Sequence, residues 1–271
     1  MAETVEEILN DFQNYLKYYK KNYNYIINTD ELKTDTNYNF ELAETSLADE
    51  VNDTNEVVYS ETEIESGMAK KKIAKNVEQE NWMRATTLLE LKEEISGCKK
   101  CRLWKTRKNF VFGEGDPNAN LVVVGEAPGA DEDEQGMPFV GRAGKLLTEI
   151  LKAINFSREE IFICNILKSR PPGNRNPEPD EIAACEPYLF KQLDLIKPKI
   201  ILAVGTFAAQ TLLRTKEPLG KLRGKFHEYN GIPMMVTFHP AALLRNPNWK
   251  RPTWEDVQLL RKEYDRLMNQ K

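Results

Sequence analysis

Three loops of this 271-residue chain carry side chains whose types and spacing could do chemistry. The first, residues 125–141, holds the carboxylates Glu126 and Glu132 and the ring of Phe139, directly after the apolar, valine-rich run 121–124. A buried strand, a Gly- and Pro-rich loop and then a helical pattern are typical of sites at the carboxyl ends of strands in α/β sheets. Because the loop offers carboxylates and an aromatic ring, with no phosphate-binding lysine, it predicts a site for a planar, polar ligand.

The second loop, residues 165–177, leaves a predicted strand at Asn165 and is rich in prolines and basic residues. If its strand neighbours the strand of the first loop, the carboxamide of Asn165 can offer one donor and one acceptor to the edge of a ligand. A turn-forming asparagine is an equally weighted interpretation. Arg170 and Arg175 have side chains that suit contacts with phosphates.

The third loop, residues 238–247, again follows a strand pattern and contains His239, one of the two histidines of the chain. A histidine at the carboxyl end of a strand, in a loop bounded by prolines, is a candidate catalytic group. The leucine pair that ends at Leu244 either begins a helix or forms an apolar wedge for a nucleic-acid groove, with Arg245 beside it. The other histidine, His227, lies in a hairpin-like stretch and is interpreted as structural.

The cysteines supply a further candidate site. Cys98 and Cys101 form a CxxC pair in a predicted loop after a helix, and Cys185 lies on a predicted helix. Two thiolates at this spacing can share one metal, as in zinc and iron–sulfur sites, and a redox dithiol is the alternative. Cys164 lies inside an apolar strand, where a small buried side chain is the better interpretation.

Strand and helix patterns alternate behind these loops and must position them. The alternation predicts a single α/β domain, a three-layer α/β/α sandwich around a mostly parallel sheet. An earlier helix is expected to end at Gly97, since glycine suits a helix C-terminus. The predicted strands are 109–112, 121–125, 161–166, 199–204 and 234–238, and the predicted helices are 142–154, 180–195, 206–214 and 254–269.

An N-terminal extension, residues 1–76, is expected before the domain, residues 77–271. Residues 3–28 carry apolar side chains at helical spacing and predict an amphipathic helix that docks on its own domain or on a partner. Residues 29–68 are acidic without sustained periodicity, which is typical of a disordered linker. Residues 1–67 carry four basic and sixteen acidic residues, a net charge of −12, so the remainder carries +8 within the overall −4. A basic domain behind an acidic extension indicates a polyanionic partner.

Membrane and secreted proteins do not match this sequence. No apolar run approaches the ~20 residues of a membrane span, and the N-terminus lacks the basic and apolar regions of a signal peptide. The predicted location is the cytoplasm, where the four cysteines are expected as free thiols or metal ligands and not as disulfides.

Taken in their order, these motifs resemble the family 4 uracil-DNA glycosylases, the iron–sulfur branch of the uracil glycosylase superfamily, over roughly residues 95–268. The resemblance implies an enzyme that flips uracil out of DNA and hydrolyses its N-glycosidic bond, leaving an abasic site. A non-catalytic DNA-binding protein that kept the fold is the alternative. A nucleotide-dependent oxidoreductase is disfavoured because GEAPG lacks the GxGxxG spacing. The motifs are CxxC, GEAPG with the following Glu-Asp pair and GMPFVG, the strand–Asn–KSRPPGNR segment, the helix-borne Cys185, and HPAALLR.

The resemblance also implies roles for the residues of the first two loops. Phe139 would stack on the face of uracil, and Asn165 would read its O4 and N3–H edge. Glu126 and Ala127 would line the pocket, and Glu132 would lie near the attacking water or the C5 edge of the base.

His239 would lie near O2 of the departing base and stabilise the developing anion, which is often the largest catalytic effect. In other branches the position after Glu126 carries an acidic or amide side chain that positions water, but here it is Ala127. Stabilisation of the leaving group must therefore carry more of the rate, with Glu132 or Glu126 assisting. The expected partner is uracil-containing DNA, single- or double-stranded, acted on by a monomer, with a protein partner for the extension.

The iron–sulfur cluster is where the chain departs from the family. The resemblance implies a [4Fe-4S] cluster held by Cys98, Cys101, position 169 and Cys185, but position 169 is Ser169. Cys164 is no simple replacement, because it lies five residues earlier on the predicted core strand. Since thiolate is the usual iron ligand, three outcomes follow: serine or solvent as fourth ligand, a labile cluster, or none. A weakened or altered cluster is the favoured expectation.

Overall fold

A computed structural model of the chain describes residues 80–270. The predicted helix 3–28 and linker 29–68 lie outside the described residues. Within residues 80–270, no helix is long and apolar enough to cross a membrane.

The described residues form one six-stranded mixed sheet with helices on both faces, which confirms the predicted α/β fold. The strand order is β1-β3-β2-β4-β6-β5; the four central strands run parallel and the two outer strands pair antiparallel. The strands are β1 (Glu114–Gly115), β2 (Leu121–Gly125), β3 (Phe162–Asn165), β4 (Ile200–Val204), β5 (Phe226–Tyr229) and β6 (Ile232–Thr237).

The helices match the predicted ones closely, with three short additions at α2, α6 and α7. The predicted strand 109–112 was wrong: Val111 donates its backbone N–H to the Lys168 carbonyl at 2.8 Å, and the edge strand begins only at Glu114. The helices are α1 (Leu88–Ile95), α2 (Ala130–Gln135), α3 (Arg142–Ala153), α4 (Pro179–Ile196), α5 (Thr206–Leu213), α6 (Leu219–Leu222), α7 (Pro240–Arg245) and α8 (Lys250–Asn269).

Alternating side chains of the buried strands divide the core between the two faces of the sheet. Val122 and Val124 of β2 belong to a first core cluster with α1, α4 and α5. Leu121 and Val123 belong to a second core cluster with α3 and α8. The sheet is therefore the middle of three layers, as predicted.

The topology creates a crevice at the carboxyl end of β2. This strand pairs with both β3 and β4, so the chain leaves it in one direction and later returns to build the sheet in the other. Such a switch point is where open α/β sheets bind ligands. Gly125 lies opposite Asn165, and Val204 lies opposite Thr237, so the strands end at similar levels. The three loops singled out in the sequence therefore meet at one edge.

Candidate functional site

The centre of the site is the close approach of three residues at the ends of β2 and β3. A Cβ atom on Gly125 would lie 2.4 Å from Asn165 Oδ1 and 2.6 Å from Phe139 Cζ, so only glycine leaves room for both side chains. Asn165 is 1% exposed, and its Oδ1 accepts no hydrogen bond from residues 80–270. A buried acceptor without a partner costs about 1–3 kcal/mol, which indicates that Oδ1 is reserved for a ligand.

The backbone of the first loop holds the Phe139 ring in place. Phe139 has φ 52°, a left-handed conformation that non-glycine residues rarely adopt. Gly144 permits it, because a Cβ there would lie 1.9 Å from the Phe139 carbonyl oxygen. Arg158 donates from Nη1 to that oxygen at 3.1 Å and from Nη2 to the Pro138 carbonyl at 2.9 Å. Arg158 was not among the sequence candidates, since an isolated arginine before a strand carries no motif.

Glu132 shapes the same loop. Its Oε1 accepts the N–H groups of Val140 and Gly141, each at 2.9 Å, and its Oε2 accepts the N–H of Gly129 at 3.0 Å. Both oxygens are therefore committed to the backbone on either side of α2. This geometry shows that Glu132 positions the loop, and its expected place near the water or the C5 edge of the base stays a prediction.

His239 follows β6, and its ring centroid lies 5.5 Å from that of Phe139. Its Nδ1 accepts the backbone N–H of Ala241 at 3.1 Å and caps α7. Burial lowers the pKa of His239 to about 4, and the positive charge of Arg245 acts in the same direction. Near neutral pH the imidazole is therefore uncharged and carries its proton on Nε2, where it can donate to a ligand.

Glu126 and Ala127 lie at the start of the first loop, next to the second loop. The Glu126 carbonyl accepts the Leu167 N–H at 3.0 Å, which holds the two loops together. Burial raises the pKa of the Glu126 carboxyl to about 6, against the opposing effect of Arg245. The Ala127 methyl packs against the first core cluster. The site thus contains one carboxylate whose charge changes in the mildly acidic range.

Comparison with known proteins identifies the family of this chain. Residues 112–258 match the model of the uracil DNA glycosylase superfamily. A type-4 uracil-DNA glycosylase of Sulfurisphaera tokodaii is 46% identical over 184 residues, which cover 65% of this chain and 84% of the relative. Proteins of the same name from Saccharolobus solfataricus and Thermotoga maritima are 47% and 42% identical, covering 61% of this chain in each case and 81% and 88% of the relatives. The chain belongs to the type-4 uracil-DNA glycosylases.

The cysteines of this type-4 chain do not build a complete metal site. Cys98 Sγ accepts the Tyr188 hydroxyl at 3.3 Å, and Cys185 Sγ accepts the backbone N–H of Lys168 at 3.2 Å. Among residues 80–270, no group of three or more Cys, His, Asp or Glu side chains is placed to hold a metal ion. Cys101 is partly buried beside them, and Cys164 is buried in the first core cluster.

At position 169, the fourth ligand position that the resemblance implies, the serine hydroxyl is already engaged in a hydrogen bond. Ser169 Oγ accepts from Arg107 Nη1 at 3.0 Å, and Arg107 Nη2 donates to the Ser96 carbonyl at 3.0 Å. The same guanidinium lies 5.0 Å from the ring centroid of Phe110. A hydroxyl bound by a cation in place of a fourth thiolate does not fit a [4Fe-4S] cluster.

The residues predicted to contact DNA in this glycosylase have different surroundings. Arg175 forms a two-pronged pair with the buried Glu181, at 2.9 and 2.5 Å, and so stabilises the start of α4; its contact with phosphate stays a prediction. Arg170 is partly exposed and donates to Asn174 Oδ1 at 2.7 Å. Arg245 is exposed at the end of α7, whereas Leu244 packs against the second core cluster.

A buried lysine supports the backbone of Asn165. Lys168 has no solvent exposure, and its Nζ donates to the Asn165 carbonyl at 2.8 Å and to Gln192 Oε1 at 2.5 Å. Gln192 in turn donates from Nε2 to the Phe112 carbonyl at 2.9 Å. This chain of bonds fixes the backbone at the end of β3. No sequence pattern indicates this network, because a lysine in a basic loop is ordinarily solvated.

Proposed function

We propose that this protein hydrolyses the N-glycosidic bond of uracil in DNA, leaving an abasic site, and so begins DNA repair. The observation that carries the proposal is the unpaired, buried Oδ1 of Asn165 beside the fixed ring of Phe139. The ring of His239 lies 5.5 Å from that of Phe139 and supplies a neutral donor.

Recognition follows from the donor and acceptor pattern of the base. Uracil presents the N3–H donor between O2 and O4, so Asn165 Oδ1 accepts from N3–H while its amide nitrogen donates to O4. Cytosine presents an acceptor at N3 and an amino donor at position 4, which places like groups against the amide. Each group left unpaired in a buried site costs about 1–3 kcal/mol. The Phe139 ring supplies a flat apolar surface for the base.

The chemistry is cleavage of the bond between C1′ and N1. The bonding electron pair leaves with the base and is shared by N1 and O2, while positive charge develops at C1′ of the sugar. The Nε2–H of His239 donates to O2 and stabilises that anion. Water adds its oxygen to C1′, and its proton balances the uracil anion. Ala127 offers no group to orient this water, so the Glu126 carboxylate acts as the counter-charge to the sugar cation.

A direct assay tests the function. The purified chain is incubated with a uracil-containing oligonucleotide, single- or double-stranded, and alkali then cleaves the strand at abasic sites. We expect strand breaks at uracil and none at cytosine in an otherwise identical strand. No product from either form of the substrate would refute the function.

Ser169 favours a second candidate function, a DNA-binding protein that kept the fold without catalysis, because loss of a cluster ligand is what a decayed enzyme shows. Salt-sensitive DNA binding without release of uracil would establish it. In either case DNA is the partner, and we propose that the acidic extension recruits a protein to a monomeric enzyme.

Ser169→Cys should restore a four-thiolate set. We propose that the native chain holds an iron–sulfur cluster weakly or not at all, because Arg107 already satisfies the hydroxyl. After anaerobic reconstitution, the variant should contain about four irons per chain, with a broad charge-transfer absorbance, while the native chain contains clearly less. The Ser169→Ala control, which has neither thiolate nor hydroxyl, should behave like the native chain. Equal iron content in the native chain and Ser169→Cys would contradict this proposal.

Glu126→Gln should remove the acidic limb of the pH profile. The pKa of Glu126 is raised to about 6, so kcat/KM of the native enzyme should fall as pH drops through about 6 and the counter-charge is lost. The variant should be about tenfold slower at pH 8 and lack that limb. An unchanged limb would assign it to another group.

The same substitution should increase stability. A raised carboxyl pKa means that the folded state binds the proton more tightly than the unfolded state, so the ionised side chain destabilises the fold as pH rises from 4.5 through about 6. Glu126→Gln should therefore raise the thermal midpoint at pH 8 and leave it nearly unchanged at pH 4. Activity and stability would then move in opposite directions.

A further inference from the structure

The loop after β6 presents an apolar side chain other than the predicted one. Leu243 is completely buried and Leu244 packs against the second core cluster, and both belong to α7, which agrees with the helix alternative for this leucine pair. The most exposed large apolar side chain between residues 238 and 250 is Trp249, with 37% of its surface accessible. It lies four residues beyond α7, and its ring contacts that of Phe238, the residue that directly follows β6.

The indole of Trp249 is held in a stack. Its ring lies 4.7 Å from the ring of Phe238, with 7° between the planes. The Arg223 guanidinium lies 5.5 Å from the Phe238 centroid and is fixed by bonds of 3.0 and 2.8 Å to Asp256. Because Phe238 directly precedes His239, the stacked rings of Trp249 and Phe238 lie next to the pocket. A side chain already ordered in this way loses little entropy when it binds.

We propose that Trp249 is the stacking platform for a nucleobase that flanks the flipped uracil. Flipping removes one base from the stack and exposes a face of its neighbour, and an ordered indole beside the pocket can cover that face. Stacking of one base on an aromatic side chain changes affinity by about 5- to 150-fold. Arg245 lies between His239 and Trp249 in the sequence and is exposed. Its guanidinium suits a contact with the phosphate that joins the two nucleotides. The inference rests on the proposed function and adds a second binding subsite to it.

The test measures binding without cleavage. The probe is a short single-stranded oligonucleotide that carries 2′-fluoro-2′-deoxyuridine, whose fluorine disfavours the sugar cation and so blocks hydrolysis. Trp249→Ala should raise its Kd about tenfold, and Trp249→Phe, which keeps a flat ring, should raise it less than about threefold. Trp104→Ala is the matched control: Trp104 is equally exposed, at 38%, but lies beside Lys99 near the CxxC pair. It should bind as the native chain does.

A second experiment removes the flanking nucleobase and leaves the Trp249 indole in place. Replacing the nucleotides that flank uracil with abasic spacers should weaken binding to the native chain about tenfold and abolish the difference between native and Trp249→Ala. This experiment decides the question even if Trp249→Ala fails to fold. Equal Kd values for Trp249→Ala and Trp104→Ala, or no effect of the spacers on the native chain, would overturn the platform. Failure of the proposed function is a separate result, the absence of uracil release from the unfluorinated oligonucleotide.

Discussion

His239→Ala should lower kcat for uracil release about 10³-fold, because removal of one preorganised donor to a developing anion typically costs 10²–10³ or more in rate. The effect should fall on kcat, since the hydrogen bond to O2 strengthens only as charge develops there. KM should change less than about threefold, because in the proposed pocket Phe139 and Asn165 hold the base in the ground state. Single-turnover assays with excess enzyme would separate the chemical step from product release.

The second histidine of the chain supplies the control. His227 lies on the edge strand β5, with its Nε2 2.6 Å from the Leu222 carbonyl, away from the pocket. His227→Ala should therefore keep native kcat. Because the pKa of His239 is lowered to about 4, the native rate should show no loss between pH 7 and 8 from its titration. A loss of less than tenfold in His239→Ala would refute the role of this imidazole in leaving-group stabilisation.

The residues of the site that could be predicted from the sequence are those in loops that directly follow a strand. Phe139, Asn165 and His239 are far apart along the chain, but each belongs to a loop that follows a recognisable apolar strand. Since the carboxyl ends of parallel strands share one edge of a sheet, their convergence followed from the alternation of strands and helices. The fold itself was predictable for the same reason.

The sequence does not determine the direction in which an individual side chain points. A carboxylate such as Glu132 can face a ligand or three backbone N–H groups, and only the path of the loop decides between them. Arg175 and Lys168 lie in one basic loop, yet one neutralises a buried glutamate and the other is itself buried. The edge strand Glu114–Gly115 was missed because a two-residue strand that contains glycine has no periodicity to detect.

Gly125→Ala should lower kcat/KM about 100-fold while the protein stays folded. The added methyl would lie 2.4 Å from Asn165 Oδ1 and 2.6 Å from Phe139 Cζ, inside the space that the base needs. Neither neighbour can move freely: Arg158 holds the carbonyl of Phe139, and Lys168 holds that of Asn165. Overpacking of this kind costs about 1–3 kcal/mol, and displacement of both recognition groups costs binding as well.

Inhibition by free uracil measures this loss without the chemical step. The native enzyme should be inhibited by the free base, which fills the same pocket, and Gly125→Ala should need about 100-fold more uracil for equal inhibition, in line with loss of one or two buried contacts. Gly220→Ala is the matched control, because a Cβ on Gly220 in α6 meets nothing within 4 Å. Its kcat/KM and inhibition should equal the native values. If Gly125→Ala kept native inhibition by uracil, Asn165 and Phe139 would not form the base pocket, and the proposed reading of the N3–H edge would fail with it.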